Sequence, residues 1–161
     1  FFENSEHIEV KPIFICVTGS NGKSTTTALI NHILKKLSKN IEMGGNIGRS
    51  VLDFNISRQS EIKVIELSSY QIEIANFLSP DIAIFLNLSN DHLERHGGLG
   101  GYFNSKAKLF YKGKPKYSIV GVDQLEGQLL ANSLEKNTNF NTKVIQLSSK
   151  NIKPKRLKMA S

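Results

Sequence analysis

Ile13-Phe-Ile-Cys-Val-Thr-Gly-Ser-Asn-Gly-Lys-Ser-Thr-Thr-Thr27 is the stretch that decides the fold of this chain. An apolar run, Ile13 to Val17, gives way to Gly19, Gly22, Lys23 and a string of hydroxyl residues. Downstream, Leu29, Ile30, Ile33, Leu34 and Leu37 recur at helical spacing and predict one apolar face. The order is therefore buried strand, tight glycine-containing turn, helix N-terminus. The first N–H groups of a helix lack intrahelical partners and lie at the positive end of its dipole. Gly19 and Gly22 let the backbone wrap an anion without a clashing Cβ. Lys23 adds a full positive charge, and the Ser24 hydroxyl can ligate Mg²⁺. Together these features predict a phosphate cradle over residues 19–24. The general pattern for such loops has four residues between its first glycine and the Gly-Lys-Ser/Thr unit. Here Ser20 and Asn21 alone separate Gly19 from Gly22.

Composition narrows the class. A chain of 161 residues is long enough for one domain with a substantial core. No apolar run is long enough to span a membrane, and no secretory signal is visible. The single cysteine, Cys16, falls in the predicted strand and reads as a small buried hydrophobe. One cysteine cannot close an internal disulfide, which fits a reducing cytoplasm. The formal charge is +7, but residues 150–158 carry +5 of it, leaving +2 for the rest. That distribution does not describe a nucleic-acid-binding face; it describes a solvated basic tail.

Residues 1–12 read as an incoming linker, with Pro12 before the first strand. Strands are expected over 13–18, 62–67, 82–88, 117–122 and 143–147. Helices are expected over 23–37, 69–78, 102–112 and 123–136, with a short one ending near Phe54. Tyr70, Ile74 and Phe77 share one face of the 69–78 segment, and Pro80 stops it. Residues 44–48, Gly-Gly-Asn-Ile-Gly, read as a second glycine-rich turn, and 148–161 as an irregular tail. Alternation of strand and helix predicts an α/β, doubly wound, mostly parallel sheet with helices on both faces.

Ligands of such sheets collect at the carboxyl ends of the strands, and three polar clusters fall there. In Glu66-Leu-Ser-Ser-Tyr-Gln71-Ile-Glu73, Glu66 closes an apolar strand, where a carboxylate is costly unless paired or metal-bound. Ser68 and Ser69 suit a helix cap as well as a binding role. Gln71 offers a ligand both donor and acceptor, or is simply a surface residue. In Asn87-Leu-Ser-Asn-Asp-His-Leu-Glu-Arg-His-Gly-Gly98, His92 follows a buried strand and shares a sheet face with Glu66 and Ser24. Ligand softness alone would pair an imidazole and a carboxylate with Zn²⁺, although Mg²⁺ held by phosphate and water can accept one imidazole. Glu94, Arg95 and His96 read as loop surface. In Tyr102-Phe-Asn-Ser-Lys106-Ala-Lys-Leu-Phe110, Tyr102 and Lys106 lie one helical turn apart, and spacing alone leaves Lys106 open to being a solvated cation.

Taken in order, Gly-Ser-Asn-Gly-Lys-Ser-Thr, Gly-Asn-Ile-Gly, Glu-Leu-Ser-Ser-Tyr-Gln-Ile-Glu, Asp-His-Leu-Glu-Arg-His-Gly and Tyr-x-x-x-Lys-x-x-Leu-Phe cover residues 18–110. This combination resembles the Mur ligase family, a branch of the superfamily that includes folylpolyglutamate synthase, and within it the D-glutamate-adding ligases. The resemblance implies the central ATP-binding domain, over 13–147, of a three-domain, cytoplasmic, monomeric enzyme of peptidoglycan synthesis. It implies ATP-dependent addition of D-glutamate to UDP-N-acetylmuramoyl-L-alanine through an acyl phosphate. It assigns ATP phosphates to Gly19, Ser20, Asn21, Gly22, Lys23, Ser24 and Thr25, and one Mg²⁺ to Ser24 and Glu66. His92 and a carbamylated Lys106 would serve a second Mg²⁺, and Lys23, His92 and Lys106 would be catalytic. Asn46, Ser68 and Gln71 match positions that contact the muramoyl substrate.

Two departures accompany the match. Gly97-Gly-Leu-Gly-Gly101 is unusually rich in glycine before the lysine helix, and no family motif is recognisable after about residue 112. The UDP-binding N-terminal domain, the D-glutamate-binding C-terminal domain and the adenine contacts are expected outside this chain, so the fragment alone is expected to be inactive. Two other readings remain: a related ligase adding a different amino acid, and a nucleotide-binding module without catalysis.

Overall fold

The computed structural model describes residues 11–37, 40–54, 62–89 and 94–151. Its strands are β1 (Ile13–Thr18), β2 (Ile41–Gly45), β3 (Ile62–Glu66), β4 (Ile82–Phe85), β5 (Tyr117–Gly121) and β6 (Lys143–Leu147). Its α-helices are α1 (Lys23–Lys35), α2 (Ser69–Ile74), α3 (Leu99–Tyr111) and α4 (Leu125–Lys136). The strands form one sheet in the order β2-β3-β1-β4-β5-β6, and every neighbouring pair is parallel. Among the described residues no helix is long and apolar enough to cross a membrane.

Alternation along the strands makes two apolar layers. Phe14, Cys16, Ala83, Phe85 and Val120 face one side and pack with Ile72, Tyr102, Leu109, Phe110, Leu130 and Leu134 of α2, α3 and α4. Ile15, Val17 and Ile84 face the other, against Ile30 and Leu34 of α1. Central β1 is thus covered on both faces, which is why its sequence is apolar at consecutive positions. Cys16 is fully buried, and burial pushes its thiol far above the ordinary value, in keeping with a structural residue.

Strand β3 lies on one side of β1 and β4 on the other. The chain therefore reverses its winding direction at β1, and the crevice opens at the carboxyl end of that strand. The loop 19–22 begins there.

Several expectations need correction. Strand β2 was not legible: the turn expected over 44–48 begins only at Asn46, because Gly44 and Gly45 pair with Ile65 and Glu66 of β3. Gly44 and Gly45 are required there, since a Cβ would lie 2.1 Å from the Arg49 carbonyl oxygen at Gly44 and 2.2 Å from that of Glu66 at Gly45. Helix α2 ends at Ile74, not Leu78, as the chain turns to extended geometry at Ala75. Its buried residues are Ser69 and Ile72, whereas Ile74 and, past its end, Phe77 are exposed. Helix α1 ends at Lys35; its Leu29 and Ile33, and Leu37 beyond it, are exposed, and the face against the sheet carries Thr27, Ile30, Asn31 and Leu34. Strand β4 stops at Phe85, freeing 86–89 to meet the 19–22 loop, and α3 begins at Leu99 instead of 102. The short helix expected near Phe54 is a single 3-10 turn, Val51–Asp53.

Candidate functional site

The loop after β1 is shaped by its glycines and held by its neighbours. Gly19 adopts φ 151° and Gly22 φ 79°, both in the region that side chains disfavour. A Cβ at Gly19 would also sit 3.0 Å from that of Leu86. Gly22 is the N-cap of α1 and supplies no side-chain cap, so the first N–H groups of that helix are left to other partners. From the end of β4, the Asn87 carbonyl accepts from Ser20 N–H at 3.0 Å. The Asn87 amide grips Asn21 from both ends, accepting from its N–H at 2.8 Å and donating to its carbonyl at 3.1 Å. Asn87 thus fixes the loop, a role its place at the end of an apolar strand only hinted at.

Lys23 folds over the loop and donates to the Ser20 carbonyl at 2.8 Å. Ser24 and Thr25 are exposed in the first turn of α1. The Ser24 hydroxyl donates to Glu66 Oε2 at 2.8 Å, and Asn46 Nδ2 donates to Glu66 Oε1 at 3.1 Å. Glu66 is 1% exposed, so these hydrogen bonds answer the desolvation of its carboxylate. The Asn46 N–H also donates to the Glu66 carbonyl at 2.9 Å, fastening the turn after β2 to the end of β3.

Lys106 is not a solvated cation. Only 1% exposed, it reaches from α3 to donate to the Gly19 carbonyl at 2.9 Å, with its ammonium 4.5 Å from the centre of the Tyr102 ring. The Tyr102 hydroxyl accepts from Ser20 Oγ at 3.3 Å, and Ser20 Oγ accepts from Ser89 N–H at 2.9 Å. A cleft of about 140 Å³ is lined by Ser20, Lys23, Asn46, Ser68, Ser69, Tyr70, Tyr102 and Lys106. Two lysines, several hydroxyls and open helical N–H groups make it a place for a polyanion.

The structure sorts the remaining candidates. Ser68 and Gln71 form a capping box: Ser68 Oγ accepts from Gln71 N–H at 3.3 Å, and Gln71 Oε1 accepts from Ser68 N–H at 2.9 Å. Ser68 still lines the cleft, but Gln71 lines a separate groove of about 430 Å³ beside Val51, Leu67 and Phe77. His92 lies outside the described residues. Among the described residues no group of three or more His, Cys, Asp or Glu side chains gathers as a metal cage. A Mg²⁺ ion shared with phosphate needs fewer: one or two protein oxygens with phosphate and water completing the shell. The converging Ser24 and Glu66 oxygens fit that requirement.

His96 corrects the reading of 94–96 as loop surface. Its side chain is 2% exposed and stacks on Tyr70, ring centres 5.2 Å apart. Its burial was hidden because it depends on α2 and α3 packing together.

A family model described as the Mur ligase middle domain matches residues 17–160. The chain belongs to this family. The match runs past residue 112, where the motifs stop. The UDP-N-acetylmuramoylalanine–D-glutamate ligase of Cereibacter sphaeroides (strain ATCC 17029) is 57% identical over 123 residues, 76% of this chain and 26% of that protein. That of Jannaschia sp. (strain CCS1) is 56% identical over 126 residues, 78% of this chain and 27% of that protein. The chain thus spans about a quarter of the length of these curated relatives. Among solved structures, a UDP-N-acetylmuramoyl-L-alanyl-D-glutamate–2,6-diaminopimelate ligase superposes on 89% of this Mur ligase domain and 34% of its own chain, with TM-score 0.71 and 27% identity. MurF from Acinetobacter baumannii, at 23% identity and TM-score 0.55 over 84% of this domain and 30% of its own chain, shares the fold.

Proposed function

We propose that this Mur ligase domain is the ATP-binding part of a ligase that adds D-glutamate to UDP-N-acetylmuramoyl-L-alanine in the cytoplasm, as a monomer. The observation that carries the reading is a cleft at the carboxyl end of β1 lined by Lys23 and Lys106, with the Ser24–Glu66 pair joined to it through Asn46. The choice of D-glutamate rests on the names of the curated relatives.

In this reading the 19–24 backbone and Lys23 receive the ATP phosphates, and Ser24 and Glu66 hold Mg²⁺. The metal, when bound, offsets charge on the phosphoryl oxygens. The substrate carboxylate attacks the γ-phosphorus, ADP leaves, and the amine of D-glutamate then displaces phosphate from the acyl phosphate. Lys23 offsets charge that grows on the transferring group, an interaction that strengthens where water is excluded. Asn46 and Ser68 line the cleft beside Ser20 and Lys23 and would meet the muramoyl substrate there; Gln71 acts indirectly, through the Ser68 cap. Lys106 and His92 would serve a second metal once the Lys106 ammonium, held here by the Gly19 carbonyl, is converted to a carbamate: the neutral amine would add CO₂, release a proton and become an anionic oxygen ligand of the kind Mg²⁺ prefers.

The test uses the full-length protein with ATP, Mg²⁺ and UDP-N-acetylmuramoyl-L-alanine against a panel of amino acids. Phosphate release that requires D-glutamate is expected. Release with another amino acid, such as a diamino acid, moves the protein to a sister ligase. ATP binding without release leaves a binding module.

A further inference from the structure

We propose that His96 is a positioning residue for the loop site, holding the Tyr102 ring that in turn sets Ser20 and Lys106. The proposal rests on the ligase reading for its kinetic consequence but not for its geometry.

The start of α3 cannot place itself. Its N-cap, Gly98, has φ 101° and gives no side-chain cap, and its first turn contains Gly100 and Gly101. Glycines weaken a helix by about 1 kcal/mol each relative to alanine. Yet this turn carries Tyr102, whose hydroxyl meets Ser20 and whose ring supports the Lys106 ammonium. Something outside the turn must fix it.

His96 is placed to do so. Its ring stacks on Tyr70 of α2 (interplanar angle 16°) and lies 5.2 Å from the Tyr102 ring, tilted by 32°. Nε2 is 3.1 Å from Ser69 Oγ, and Nδ1 is 3.5 Å from a Glu73 carboxylate oxygen, so both ring nitrogens are engaged by α2. The Arg95 guanidinium lies over the Tyr70 ring, 4.3 Å from its centre. The histidine is thereby clamped to α2 and presents a fixed flat surface to Tyr102. The backbone is wound tightly about it: a Cβ on Gly101 would fall 1.7 Å from the His96 carbonyl oxygen, and Gly97 has φ 67°. Gly97, Gly98 and Gly101 are therefore the glycines this winding needs; Gly100 faces open space and has no such explanation.

The experiment compares His96→Ala, His96→Phe and His96→Gln in the full-length protein, reading kcat, the KM for each substrate, ATP affinity by calorimetry and thermal midpoint. Misplacement of a supporting ring by about 1 Å can lower turnover up to roughly 100-fold. His96→Ala is expected to lower kcat by about 10- to 100-fold while leaving the KM for the amino acid unchanged. His96→Phe, which keeps the ring, is expected to recover most of kcat, and His96→Gln, which keeps only the hydrogen bond to Ser69, is not. Wild-type kcat and ATP affinity in His96→Ala, whether or not its thermal midpoint falls, would overturn the proposal. So would rescue by Gln with failure of a folded Phe variant. If His96→Ala does not fold, the Phe and Gln pair decides. If the wild type binds ATP but ligates nothing, the ligase reading fails, and the positioning claim is judged by ATP affinity alone, expected to weaken in His96→Ala and return in His96→Phe.

Discussion

The two halves of the sheet are built alike and used differently. Around β1, β3 and β4 the strands lead into polar groups of the site: buried Thr18 and Glu66, and, past the end of β4, the half-buried Asn87 that grips the loop. Around β5 and β6 they end in surface features, such as Asp123, which accepts from Ser148 and Ser149. Helix α4 buries Leu130, Ala131 and Leu134 against that flank and brings no side chain to the cleft. The central strands of this parallel sheet are covered on both faces and edge strand β6 is mostly exposed, but the winding among the described strands reverses at β1. Among the described residues the cleft gathers at that reversal, while the flank contributes buried apolar packing.

Substitutions can break or sharpen this contrast. The largest effect is expected at Lys23: Lys23→Ala should lower turnover of the full-length protein roughly 10²- to 10³-fold with little change in thermal midpoint. A large fall in stability there would blur the distinction. On the flank the reverse is expected. Leu130→Ala empties a fully buried position and should destabilise by about 2–5 kcal/mol in chemical denaturation, with ATP affinity of the folded protein unchanged.

Lys106→Ala should cost roughly 10- to 100-fold in activity, and short carboxylic acids should restore part of it if the working form is a carbamate. Full activity at low bicarbonate would refute the carbamate. Lys108→Ala, two residues away, should have little effect.

The smallest effect concerns Asp123. Hydrogen bonds from Ser148 and Ser149 hold its carboxyl below the ordinary value. A depressed carboxylate stabilises the fold fully above its unfolded value, and the benefit fades as pH falls through the folded one. Asp123→Asn should therefore lower the thermal midpoint slightly at pH 7, and the difference from wild type should vanish in strong acid. A difference that persists there would mean packing, not charge, is responsible.

The sequence alone determined the strand-turn-helix at 13–27, the parallel alternation, and the set of polar clusters that meet near β1. These are local signals: an apolar run, glycines where a backbone must turn, a lysine and hydroxyls at a helix start. Strand β2 was decided by tertiary structure, because Gly44 and Gly45 have no strand propensity and are ordered by pairing with β3. So was the burial of α1, which turns Thr27 and Asn31 inward and leaves the apolar Leu29 and Ile33 outside. So, finally, were the state of Lys106 and the place of His96. Whether a lysine is solvated or held under a loop carbonyl, and whether a loop histidine is surface or wedge, depends on residues far along the chain arriving at one point. Gly19 lies 87 positions from Lys106, and Ser69 lies 27 from His96. Spacing within one helix or loop carries no record of such meetings, which only the packing of α2 and α3 against the sheet brings about.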